Sequence, residues 1–179
     1  MSTVIFSNKE IKAMAVKAVQ DVFSTMLCRS VKHLESIIAN KTDVNQTPRP
    51  TLKSNGLMIA SCVGYLGDVK GLVYIILEND FAITLSASLL GLEKSEVEEE
   101  GDELINDAIG EISNMITGTF KNQMSDKGFQ CNLTVPSILR GEKITIDSPA
   151  SETVDRFFFR FESHGREVVL DIVMKPFDE

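Results

Sequence analysis

The sequence predicts an α+β fold in which two similar halves share one largely antiparallel sheet. Two observations support this. Residues 8–39 and 101–125 repeat apolar side chains at helical spacing, which is typical of helices that pack on a core. Each helix is followed by a proline-bearing loop, by strand-like stretches and by a hairpin, whose turns contain Gly67 and Gly165. This order occurs twice, so the chain has two halves of the same design.

The first half begins with the helix predicted over 8–39, which Ser7 or Asn8 can cap. The apolar pattern is interrupted near Cys28 and resumes through Ile38. The polar loop after it, residues 40–53, carries two prolines that end regular structure. The apolar residues of this helix are Ile11, Ala15, Val19, Val22 and Met26, followed by Leu34, Ile37 and Ile38.

The remaining elements follow from runs of apolar residues and from turn residues. We expect strands at 57–63 and 70–77, a short helix at 80–91 closed by Gly91, a long helix at about 101–125 ending near Gly128, and strands at 130–136, 142–147, 156–163 and 167–175. The acidic run 93–103 has seven carboxylates in 11 residues, and we interpret it as a solvated segment at a helix N-terminus.

The two helices align without a gap when residues 18–26 are laid on 108–116, an offset of 90 residues. Any core-facing helix has this period, but the matching order of elements favours duplication. We therefore expect one domain over residues 1–179, with pseudo-repeats at about 8–91 and 98–179. A pseudo-twofold axis would place both helices side by side on one sheet.

Charge and composition exclude several classes of function. The net charge of −8 repels nucleic acid and anionic membranes, although it also serves solubility. No apolar run approaches the roughly 18 residues that cross a bilayer, and the N-terminus does not resemble a secretory signal. Three widely spaced cysteines suit a reducing compartment. We expect a cytoplasmic protein that binds neither nucleic acid nor membrane.

A row of polar residues lies opposite the isoleucines of the second long helix. Glu111 follows Asp107 by four residues, and Asn114 follows Glu111 by three, so their side chains are neighbours on one face of the helix. A solvated helix face is the default interpretation. However, asparagine is a poor residue inside a helix, and Gly110 and Gly118 each cost roughly 1 kcal/mol against alanine. Small residues beside a carboxylate and an amide leave space for another surface, which favours a site.

These residues carry a resemblance to a known family. The segment DAIGEISN has the pattern Asp-xxx-Glu-xx-Asn, and Pro136 follows Asn114 after 21 intervening residues. The chain resembles the CheC/CheX/FliY group of response-regulator phosphatases from bacterial chemotaxis, and it is most similar to CheX. The resemblance covers nearly the whole chain and implies the CheC-like fold. On the first helix, the positions that match the motif are Lys17, Asp21 and Ser24, so a second site there is disfavoured.

The resemblance implies hydrolysis of the aspartyl phosphate of a CheY-like receiver domain. The receiver would supply Mg²⁺, and the chain would need no metal or cofactor of its own. Asn114 would position the attacking water, and Glu111 would pair with a receiver lysine. The residues assigned to the partner surface are Asp107, Gly110, Gly118 and Pro136, the last through the shape of the following strand.

Three alternatives stay open. The first is a non-catalytic module of the same fold that binds a receiver or serves in a flagellar switch. The second is an independent hydrolase with Glu111 as general base, which is disfavoured because His33 and His164 lie far apart and no metal cluster is visible. The third is a structural dimer joined through the apolar stretch 156–161. A homodimer is also expected from the resemblance to CheX and is compatible with the enzyme.

Overall fold

The computed structural model describes residues 6–42, 56–146 and 154–175, except for the side chains of 40–42. Within them, helices lie on one face of an antiparallel sheet of seven strands. The helices are α1 (Asn8–Thr25), α2 (Asn79–Leu90), α3 (Lys94–Glu100) and α4 (Asp102–Ser125), and the strands are β1 (Lys32–Thr42), β2 (Met58–Gly67), β3 (Gly71–Glu78), β4 (Cys131–Leu133), β5 (Ser137–Gly141), β6 (Val154–Ser163) and β7 (Arg166–Met174).

The strand order confirms the predicted fold class. The order is β1-β6-β7-β3-β2-β4, and β5 also pairs with β2. Every pairing is antiparallel. The first strand of the first half, β1, pairs with the hairpin of the second half, and β5 pairs with the hairpin of the first. Because β3 and β7 meet at the centre, the order is symmetric about that pair, as a pseudo-twofold axis requires.

Helices α1 and α4 lie side by side and antiparallel over the sheet. The side chain of Gln123 donates to the Met14 carbonyl oxygen at 2.9 Å, and Lys127 Nζ lies 2.7 Å from Glu10 Oε1. Below them, alternate residues of four strands join the helices in one core. The predicted seam of α4 is part of that core, and its members are 1–2% exposed: Ile105, Ile109, Ile112 and Ile116.

The prediction of one helix over residues 8–39 is wrong beyond Thr25. The N-terminus is as expected, since Ser7 caps α1 in a capping box with Glu10. After the helix, Cys28 takes a left-handed backbone conformation with φ of 52°, and the chain then forms β1. Ile37 and Ile38 face opposite sides of that strand, so their apolar repeat only imitates a helical one.

Two strand predictions also need correction. Residues 142–146 carry no strand, and residue 147 lies outside the described residues, as do 43–53 of the predicted proline-bearing loop. Instead, β5 forms immediately after Pro136, because it pairs with β2. The stretch 156–161 is not an exposed edge. It lies in β6, between β1 and β7, and its phenylalanines are buried.

The strand predicted over 130–136 is shorter, since β4 covers only Cys131–Leu133, and the remaining predicted elements are confirmed. The hairpin β2–β3 and the turn at His164 and Gly165 occur as expected, and Gly91 ends α2 with φ of 68°. The acidic run forms the short helix α3, where Val97 is buried and the carboxylates are exposed. It is a solvated segment, as interpreted.

Gly71 leaves space for the side chain of Tyr65, against which α4 packs. Gly71 pairs with Tyr65, which is fully buried and packs edge-on against Phe120 of α4, with ring centroids 6.3 Å apart. A Cβ atom on Gly71 would overlap both the Tyr65 hydroxyl and the carbonyl oxygen of Val173. The contact between sheet and helix therefore requires glycine at this position.

We expect Gly71→Ala to lower the free energy of unfolding by about 3 kcal/mol, because an overfilled core must displace backbone. Urea denaturation of the purified variant measures the change. Gly141→Ala is the matched control, since a Cβ there meets its nearest neighbour at 3.6 Å, an ordinary contact. Equal stability of the two variants would contradict the account.

Candidate functional site

The polar row of α4 lies on the outside of the molecule. Asp107 and Glu111 are exposed, and Asn114 is half-buried. Their orientation follows from the isoleucine seam, because burial of one helix face turns the residues opposite it to solvent. The structure therefore brings the three together on one accessible face, as the spacing predicted.

The side chains of this row are not engaged in polar interactions within the described part of the chain. In the described part of the chain, no hydrogen bond or ion pair involves the side chain of Asp107, Glu111 or Asn114. Two carboxylates can accept hydrogen bonds, and one amide can both accept and donate. These groups are available to an incoming molecule.

The equivalent positions on α1 differ in this respect. Lys17 Nζ forms an ion pair with Asp21 Oδ2 at 2.5 Å, and the Ser24 hydroxyl donates to the Asp21 carbonyl oxygen at 3.1 Å. The carboxylate and the hydroxyl on this helix are thus engaged within the chain. Of the two related helix faces, only the one on α4 presents uncommitted groups.

A short segment between β4 and β5 borders the row, and we call Thr134–Pro136 the bridge. The Thr134 N–H donates to the Gly64 carbonyl oxygen at 2.9 Å, and the Gly64 N–H donates to Thr134 Oγ1 at 2.8 Å. At its other end, Pro136 lies against α4 at Gly110. A Cβ built on Gly110 would be 3.5 Å from the Pro136 Cβ.

The position of the bridge corrects the interpretation of Gly110, whereas the assignment of Gly118 stays a prediction. Gly110 is buried, and the surface that approaches it is Pro136 of the same chain rather than a partner. Gly118 is half-buried, and a Cβ there would lie 3.9 Å from Leu133. The bridge therefore borders the helix at Gly110, one residue before Glu111, at a distance that would also accommodate a Cβ atom.

Arg140 is a residue that the sequence analysis missed. Its Nε donates to Asn106 Oδ1 at 2.9 Å, its Nη1 donates to Asn79 Oδ1 at 2.7 Å, and the same nitrogen lies 3.1 Å from Asp102 Oδ1. These contacts attach β5 to the N-terminal half of α4 and to α2. Arg140 could not be identified from the sequence, because β5, the strand that contains it, was not predicted.

The two histidines lie outside this site. His33 packs on Phe161 of the sheet and lies 2.9 Å from the Ser36 hydroxyl, and burial, with a smaller effect of Lys12, lowers its pKa. His164 is a turn residue with φ of 51°. Among the residues described, no three His, Cys, Asp or Glu side chains come together as metal ligands. No described helix has both the length and the apolar character that crossing a bilayer would need.

Comparison with known proteins relates the fold to a family. A family model described as "Chemotaxis phosphatase CheX" matches residues 59–162. Among proteins with curated functions, no match was found. A CheC-like superfamily protein from Shewanella sp. PV-4 has a TM-score of 0.74 and 24% identity, and the match covers 94% of this chain and 99% of that one.

Two further structures have the same fold. The chemotaxis protein CheX from Desulfovibrio desulfuricans matches with a TM-score of 0.71 and 21% identity, over 93% of this chain and 99% of that one. The CheX of a CheX–CheY–BeF₃–Mg²⁺ complex from Borrelia burgdorferi matches with a TM-score of 0.64 and 21% identity, over 92% and 97%. Because the family model covers more than half of the chain, including the polar row and the bridge, this protein belongs to the CheX family.

Proposed function

We propose that this protein hydrolyses the aspartyl phosphate of a CheY-like receiver domain. The observation that carries the proposal is the accessible pair Glu111 and Asn114, whose side chains are uncommitted, on a helix that the CheX family model covers. The family description names a chemotaxis phosphatase, and the Borrelia structure is of a CheX with CheY, BeF₃ and Mg²⁺. Both support a phosphorylated receiver as the substrate.

Asn114 has the chemistry to orient the attacking water. In the reaction, a water oxygen bonds to phosphorus, the bond from phosphorus to the carboxyl oxygen breaks, and the receiver aspartate is regenerated. The transition state is loose, so an in-line water matters more than a strong base. The amide oxygen accepts a hydrogen bond from the water, while its NH₂ group can donate to a neighbouring oxygen. Because Asn114 is half-buried, its orientation is restricted.

Glu111 lies one helical turn from Asp107 and, in the other direction, three residues before Asn114. We assign its carboxylate to an ion pair with a lysine of the receiver, which fixes how the two proteins meet. Asp107 makes a contact at the rim. The receiver supplies Mg²⁺, which neutralises phosphoryl charge, and the chain contributes only the positioning groups.

A homodimer stays a prediction. The apolar stretch 156–161 no longer supports it, because β6 is an inner strand. Within the described sheet, the outer strands are β1 on one side and β4 with β5 on the other. Dimerisation through an extended sheet would have to use one of these edges.

We expect Asn114→Ala to reduce the rate of phosphate release by on the order of 100-fold or more, because the water loses its orientation. Binding to the receiver should change little, since the amide acts in the transition state. The measurement is phosphate loss from a CheY-like receiver phosphorylated with a small phosphodonor, alongside binding to the beryllofluoride-activated receiver. Ser24→Ala, at the matching position of α1, is the control. An equal loss of binding and rate would refute water positioning.

We expect Glu111→Ala to weaken both receiver binding and phosphate release, because a charge-assisted contact contributes before and during the reaction. Asp21→Ala is the matched control on α1 and should leave both unchanged. Titration calorimetry with the activated receiver and the phosphate assay measure the two effects. If Glu111→Ala binds the receiver normally, Glu111 does not pair with a receiver lysine.

The unmodified protein separates the enzyme from the non-catalytic alternative. An enzyme accelerates phosphate loss from a receiver at amounts far below stoichiometric. A binding module of the same fold forms the complex and leaves the lifetime of the phosphoryl group unchanged, or prolongs it. If the protein accelerates phosphate loss from none of the receivers tested, the proposed function is wrong.

A further inference from the structure

We propose that Val135, in the middle of the bridge, is a docking contact that packs against an apolar patch of the receiver beside its phosphorylation site. The inference rests on the proposed function, because it adds to the surface around the same polar row. The occupant is the receiver domain itself.

Val135 is unusually accessible. Its side chain is 85% exposed, whereas Leu66 and Leu139 are 54% exposed and the other exposed large apolar residues that the structure describes are less so. A single exposed apolar side chain is common on protein surfaces, so exposure alone decides nothing. What distinguishes Val135 is its place in the fold, on an ordered segment beside the polar row.

The backbone on both sides of Val135 is held firmly. Thr134 makes two hydrogen bonds with Gly64, and Pro136 has a fixed φ and packs on Gly110. Beyond it, Arg140 attaches β5 to α4 and α2. A side chain on such a pre-ordered segment loses little conformational entropy when a partner covers it, which favours a role in binding.

The distance to the polar row places Val135 inside a receiver's contact area. Gly110 and Asn114 are one helical turn apart, and Pro136 touches Gly110, so Pro136 lies on the order of 10 Å from Asn114. Val135 is one Cα step of about 3.8 Å further. Even a transient interface of about 600 Å² per partner covers a disc with a radius of roughly 14 Å. A receiver centred on Asn114 therefore reaches Val135.

The row and the bridge complement each other chemically. Asp107, Glu111 and Asn114 are polar and offer almost no apolar area, whereas interfaces combine an apolar contact with polar groups. Val135 supplies that apolar contact from an adjacent, separate segment. Val135 therefore contributes to affinity, and Asn114 contributes to the chemical step.

The test is Val135→Ser in the full chain. Loss of this apolar contact should raise the KM for a phosphorylated receiver roughly fivefold to tenfold and leave kcat unchanged. Leu139→Ser is the matched control. Leu139 is exposed on β5, but its neighbours Ile138 and Arg140 face the core and α4, so it lies on the opposite face of the sheet and should not change KM.

Binding to the beryllofluoride-activated receiver distinguishes this proposal from the proposed function. If the protein binds but does not hydrolyse, the function fails, and Val135→Ser should still weaken binding by the same factor. If the protein hydrolyses and Val135→Ser has an unchanged KM, or a lower kcat only, the docking contact is wrong. If the protein does not bind any receiver, both the proposed function and the docking contact are wrong.

Discussion

Burial of the isoleucine seam is the interaction on which the site depends. Ile105, Ile109, Ile112 and Ile116 are almost completely buried, and burial of each contributes roughly 1.5–3 kcal/mol. The cost of asparagine inside a helix is below about 1 kcal/mol, so the seam determines how α4 is rotated. Once the seam faces the sheet, the residues opposite it must face solvent. The polar row is thus oriented by residues that do not belong to it.

The duplicated fold explains how one site can exist where the architecture offers two. Core packing constrains only the inner faces of α1 and α4, and both helices satisfy it in the same way. Their outer faces are not needed for stability and can differ. On α1, Asp21 is neutralised by Lys17, whereas on α4 the matching Glu111 has Asp107 one turn before it and no cation paired with it in the described residues. This difference in outer-face charge is why we propose Glu111 on α4, and not Asp21 on α1, as the partner of a cationic group.

The sequence was sufficient for features encoded locally and insufficient for those that depend on distant strands. The seam and the polar row lie on one helix, and each hairpin joins two strands that are consecutive in the chain, so local spacing predicts them. By contrast, β5 exists because it pairs with Met58–Cys62, and Arg140 finds its partners 34 and 61 residues away. The same dependence on tertiary pairing decides β1, where Ile37 and Ile38 fitted a helix equally well. The bridge was missed because both strands that hold it are defined by their pairing with β2.

The proposed catalysis by orientation requires that the helix and the surface beside it keep a fixed distance. An error of about 1 Å in position can cost on the order of 100-fold in rate, so a mobile segment next to Asn114 would be harmful. Pro136 borders α4 at Gly110, where a Cβ atom would lie 3.5 Å from the Pro136 Cβ, an ordinary van der Waals contact. The contact joins the bridge to the helix at the residue before Glu111. The space beside Gly110, which first suggests room for a partner, is therefore occupied by Pro136 of the same chain.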